Sequence, residues 1–157
     1  MSNTLERRML LRGAGVVGVS AVGVAAVPET ASAHGDEHGR HLLGAWMIRH
    51  TDDPPSSDSG LAIVSFAAGG VFATEELPDG TLGLGTWAVD GDGFDVLFFE
   101  GQPGPNGAPG VVVKIRVHGQ VHGDHISGTY RLTVRSAADD SVVARGTGTF
   151  RGERLRV

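Results

Sequence analysis

The chain has 157 residues, a net charge of −5, 25 glycines and no cysteine. An acidic balance argues against a general nucleic-acid binder, which needs clustered Lys and Arg against phosphate, and the missing cysteines exclude a disulfide scaffold. Residues 1–33 read as an export leader removed by cleavage: Arg7 and Arg8, then Leu10 and Leu11, an apolar run from Gly13 to Val27 free of carboxylates, and Ala31-Ser32-Ala33 as a small-residue cleavage pattern. The run is too short to cross a bilayer as a helix. The mature chain is therefore expected to have no transmembrane segment and to be secreted or held in the cell envelope or periplasm.

The arginine pair followed by Leu10-Leu11 resembles a twin-arginine signal, which implies export of an already folded protein, although Glu6 stands where that signal has Ser or Thr. Cleavage after Ala33 makes His34 the new N-terminus, ahead of "HGDEHGRH". Its amine and imidazole suit tetragonal Cu(II), with His38, His41 or a barrel histidine completing the set. The same composition also suits a polar, flexible lead-in over residues 34–42 with no metal.

From residue 43 onward no 3.6-residue period appears. Short β-branched and aromatic runs alternate with Gly, Asp, Asn and Pro clusters, which predicts strands near 43–50, 61–67, 70–76, 83–89, 93–100, 111–122, 125–135 and 142–151. "DDPPSSDSG" and "GQPGPNGAPG" are the long loops. The chain is thus an all-β domain over residues 43–157. Eight hairpin-linked strands with one apolar face predict an antiparallel up-and-down β-barrel, with a two-sheet β-sandwich as the alternative.

Two hairpins are specified by arithmetic. A two-residue turn at Gly123-Asp124 sets Val121 against Ile126, Val117 against Tyr130, Ile115 against Leu132 and Val113 against Val134, with charged and polar residues on the other face. A turn at Gly91-Asp92 sets Val89 against Phe94, Trp87 against Val96, Gly85 against Phe98 and Gly83 against Glu100. On the last strand Ala144, Gly146, Gly148 and Phe150 face inward, and these small residues opposite Tyr130 and Leu132 predict a void. Charge is uneven along the chain: residues 34–110 hold 12 acids and 2 bases, residues 111–157 hold 4 acids and 8 bases. Solvated faces attracting one another across the sheet account for that pattern.

"LLGAWMI" resembles the Gly-x-Trp signature of the lipocalin and calycin group, through Gly44 and Trp46, and "TFRGERL" offers Arg151 or Arg154 to pack across that Trp. The resemblance implies a small-molecule-binding cup. The closing "GTGTFRGERLRV" is distantly similar to the last strands of allene-oxide-cyclase and dirigent barrels, which implies a cyclase or isomerase.

The expected ligand is a small apolar or amphipathic molecule held by Trp87, Val96, Phe98, Val117, Tyr130, Leu132 and Phe150. Glu100, the inward carboxylate, would serve as acid or base if the protein is an enzyme, and Tyr130 would donate to a carbonyl; the alternative places Glu100 at the rim, where it meets water. His122 and His125 flank one turn as an opposed pair within reach of a shared metal, Asp124 being the nearest third ligand. No phosphate loop, metalloprotease motif or Ser-His-Asp order is present, and no cofactor is expected. A third class of function is a structural or cell-surface interaction module with a solid interior.

Overall fold

The computed structural model describes residues 39–90 and 93–156; the leader, His34, His38 and the Gly91-Asp92 turn lie outside the described residues. The eight runs become β1 (Gly44–Asp52), β2 (Ser59–Ala67), β3 (Val71–Leu77), β4 (Leu82–Asp90), β5 (Gly93–Gln102), β6 (Val111–His122), β7 (His125–Ser136) and β8 (Val142–Arg154). Each strand pairs antiparallel with its neighbour in sequence, and β8 returns to β1 from Gly148↔Asp52 to Arg154↔Trp46. The molecule is therefore a closed up-and-down barrel rather than a sandwich, and closure leaves no sheet edge open to another chain. Among the described residues no helix is long and apolar enough to cross a membrane.

Both hairpin registers hold. Val117 faces Tyr130 and Val113 faces Val134, while Trp87 faces Val96 and Gly83 faces Glu100. Gly123 takes φ +63°, the left-handed conformation that the first position of a II′ turn needs.

The barrel has two unlike ends. Its base, where β1 starts and β8 finishes, is stoppered by residues 39–43. Leu42 and Trp46 are fully buried there, and the Trp46 indole N–H donates to the Leu42 carbonyl at 2.9 Å. Arg154, not Arg151, lies over the Trp46 ring at 4.2 Å, and its guanidinium donates to the carbonyls of Leu43 and His41. One side chain thus ties the last strand to the lead-in by a cation–π contact and two charge-assisted bonds.

Above the stopper the interior is packed large over small. Phe94, Gly119, Gly128 and Phe150 are successive partners across β5 to β8. The two phenyl rings meet over the two glycines with centroids 6.4 Å apart, and a Cβ at Gly119 would sit 2.5 Å from the Phe94 ring. Phe66 anchors the opposite wall, with Phe72, Trp87 and Phe94 edge-on to it at 5.3–5.7 Å, a geometry favoured by the ring quadrupoles.

The expected void beside Gly148 is occupied. A Cβ there would lie 2.3 Å from the Tyr130 hydroxyl and 2.4 Å from the Thr51 carbonyl. Tyr130 and Gly148 are direct partners, so the ring leans across the strand that has no side chain to resist it. Gly146 has more space, its nearest neighbour being Leu132 at 3.3 Å.

Candidate functional site at the barrel mouth

At the other end, where β1, β3, β5 and β7 finish, the inward positions turn polar. Alternation along β1 sends Trp46, Ile48, His50 and Asp52 inward in turn; the first two close the base and the last two reach the mouth. Thr74 and Glu76 take the same parity on β3, and Glu100 does so on β5.

Two side-chain bonds join strands that are not neighbours, and each crosses an intervening strand at a glycine. His50 Nε2 lies 3.0 Å from Glu76 Oε2, bridging β1 to β3. The partner of His50 on β2 is Gly60, where a Cβ would stand 2.3 Å from that nitrogen. The Tyr130 hydroxyl donates to Asp52 Oδ1 at 2.6 Å, bridging β7 to β1 across Gly148, the residue paired with both. The His50 ring stands edge-on to Tyr130 with centroids 6.1 Å apart, which brings the two bridges together.

Glu100 sits between these bridges and the apolar interior. It is 8% exposed, and no side chain among the described residues hydrogen-bonds its carboxyl. Its β4 partner is Gly83, where a Cβ would meet Glu100 Cγ at 3.0 Å and Thr74 Cγ2 at 2.6 Å. Burial, and secondarily the charge on Glu76, push the Glu100 carboxyl up to about 7, against the pull of His50. His50 is raised from its ordinary value, chiefly by its bond to Glu76, which outweighs burial. Tyr130 is raised by burial and then by its bond to Asp52, so it stays protonated.

The mouth therefore holds a carboxyl poised between its two protonation states near neutrality, beside an imidazole–carboxylate pair. The one phenolic proton of Tyr130 is already donated to Asp52. A ligand carbonyl would have to displace that bond.

The other expected ligand-binding residues divide by depth. Val96 and Phe98 are buried in mid-barrel, with Phe98 packed on Phe72 at 5.0 Å. Trp87 and Phe150 belong to the packing of the base, and the Trp87 indole N–H donates to the Ala67 carbonyl at 2.9 Å. Val117 and Leu132, joined by Val111 and Val134, form a half-buried apolar wall on β6 and β7 that rises to the mouth.

His122 and His125 are direct partners, both exposed, as the register implies. Asp124 is not available to them as a third ligand, since it pairs with Arg154 at 3.3 Å and with Arg156. His41 is exposed and offers its carbonyl to Arg154. Among the described residues the group with metal-like spacing is Asp90, Asp95 and His118, whose ligand atoms lie within 4.8 Å of one another; all three are exposed on the outer wall.

Sequence reasoning missed His50, Asp52 and Glu76. The signal for His50 and Asp52 was present, since both continue the inward parity of Trp46 and Ile48. Compared with protein-family models, curated proteins and solved structures, the chain finds no match in any of the three.

Proposed function

We propose that the protein is an exported barrel that holds a small apolar or amphipathic molecule at its mouth. The apolar part would lie along Val111, Val117, Leu132 and Val134, and the polar part against Glu100 and His50. The observation that carries this reading is the meeting of a half-buried aliphatic wall with Glu100, a buried residue whose carboxyl no described side chain hydrogen-bonds, at one end of an otherwise packed barrel. Few convergent polar groups on an apolar surface are the usual make-up of a ligand site. Export rests on the leader alone.

The test is binding of an uncharged, environment-sensitive dye, chosen because the mouth carries several carboxylates. The folded protein should enhance the dye's fluorescence, and Leu132→Asp should abolish that signal while Val143→Asp, on the exposed outside, should leave it intact. Equal enhancement by all three proteins would place the ligand elsewhere.

A second reading, an isomerase or cyclase, is favoured by one arrangement: Glu100, whose carboxyl burial pushes up to about 7, lies close enough to the His50–Glu76 hydrogen-bonded pair to feel both charges. In this reading Glu100 removes a proton from one carbon or oxygen of the bound molecule and returns it at another, with no net redox change. Glu100→Gln should retain dye binding and abolish turnover of any compound found to displace the dye and rearrange. Turnover that survives the substitution would remove Glu100 as the group that moves the proton.

A further inference from the structure

Besides Arg135, which is paired with Asp140 at 3.0 Å, the outer wall of β6, β7, β8 and β1 carries six cations: Arg49, Lys114, Arg116, Arg131, Arg145 and Arg151. Their arrangement is costly to the fold. Arg116 is the direct partner of Arg131, and Arg49 is the direct partner of Arg151, across the seam that closes the barrel. Like charges directly opposite destabilise a strand pair, and the expected attraction between the acidic and basic halves does not relieve them here. Among the described residues none of these five arginines forms an ion pair. Three carboxylates reach this wall: Asp53 accepts a bond at 2.6 Å from Thr147, the β8 partner of Arg131, Asp140 pairs with Arg135 toward the mouth, and Glu153 faces His125 near the base.

Between the cation rows run hydroxyls. Thr51, Thr149 and Thr129 are successive partners across β1, β8 and β7, one row from the Arg49–Arg151 pair. The seam itself holds a shallow recess of about 180 Å³ lined by Arg49, Thr51, Thr149, Phe150 and Arg151. Two guanidinium forks and two hydroxyls around one recess complement a tetrahedral oxyanion. Two further rows along, roughly 13 Å at strand spacing, the charge resumes with Arg131 and Arg116. A single anion would occupy only the recess, whereas a chain of anions would meet both sites.

We propose that this wall binds a sulfated or phosphorylated polysaccharide, with one ester group in the recess between Arg49 and Arg151 and the chain running over the threonine row toward Arg131 and Arg116. The hydroxyl rows suit a hydroxylated backbone. Single-stranded nucleic acid fits less well, because it needs successive aromatic platforms; among the described residues the one exposed Phe, Tyr or Trp bordering the wall is Phe99, whose ring already has the Lys114 ammonium 5.8 Å from its centre.

Heparin oligosaccharide serves as the probe, with oligothymidine of equal charge as the competing class and the anisotropy of labelled probe as the readout. The folded protein should bind heparin with an affinity that falls steeply between about 50 and 200 mM salt. The double variants Arg49→Thr/Arg151→Thr and Arg116→Thr/Arg131→Thr should each lose at least about ten-fold in affinity, equivalent to about 1.4 kcal/mol, and each should lower the salt slope by close to one per cation removed. Their melting temperatures should be unchanged or higher, which separates lost binding from lost folding. Arg49→Lys/Arg151→Lys should bind measurably less than wild type, because lysine keeps the charge and loses the fork. Equal affinities for wild type and both threonine doubles, or no heparin binding at all, would overturn the proposal. Oligothymidine bound as tightly as heparin would overturn the polysaccharide assignment, and a lysine double that matches wild type would overturn the recess.

Discussion

Glu100 ties the stability of the barrel to pH. Its folded-state value of about 7 lies above the ordinary 4.5, so between those two values the folded state holds more protons than the unfolded chain. Stability must therefore fall as pH rises through that window and level off above it. His50 acts in the same sense: its value is raised, so its bond to Glu76 contributes fully below the ordinary histidine range and is lost as pH rises through the folded-state value. Glu100→Gln removes the first effect and leaves the second. Relative to wild type the variant should gain on the order of 3 kcal/mol in going from near pH 4 to near pH 8, read as urea midpoints at each pH. A wild type and variant whose difference does not change across that range would show that Glu100 is solvated in the folded protein.

At the scale of strands, the glycines that face inward act as crossings. Gly60 and Gly148 each let a long polar side chain pass over their strand to a partner two strands away. Gly148→Ala should cost about 1 to 3 kcal/mol as an overpacking change, whereas Gly146→Ala, with its nearest contact at 3.3 Å, should stay within about 0.5 kcal/mol. Chemical denaturation of the two variants checks the contrast, and equal costs would remove it. Strand positions, parity and both hairpin registers were legible in the sequence, because a period of two and a two-residue turn leave one consistent pairing. The interior was less legible. A glycine opposite Tyr130 reads as space on a flat ladder, but in a closed barrel the large partner leans into that space. The polar mouth escaped notice because its members come from β1, β3, β5 and β7, and their meeting depends on closure, which no single hairpin encodes.

At the scale of the whole molecule, closure is fastened at the base by Trp46 and Arg154. Trp46→Ala should cost about 3 to 5 kcal/mol, as for a large aromatic removed from a core. Arg154→Met, which keeps bulk but loses the ring contact and both carbonyl bonds, should also destabilise, by about 1 to 3 kcal/mol. Denaturant titration reports both, and a Trp46→Ala cost below about 0.5 kcal/mol, typical of an exposed position, would mean the stopper is not needed for folding. The outer wall should respond oppositely. Arg116→Thr relieves a like-charge pair and should raise stability by about 0.2 to 1 kcal/mol, seen as a higher melting temperature at low salt that fades as salt is added.

The stopper also fixes how the protein can be held. A Cβ at Gly39 would stand 3.5 Å from Val89 and 3.6 Å from Trp87 at the base, and Leu155 donates its backbone N–H to the Ala45 carbonyl at 2.9 Å at the same end. Both ends of the described chain therefore leave from one pole, opposite the carboxyl-lined opening. A tether attached at Gly39 or at Arg156 would leave the carboxyl-lined mouth on the far side, so immobilising the protein through a residue introduced at either position should give sensor surfaces with the same response to a ligand of the mouth.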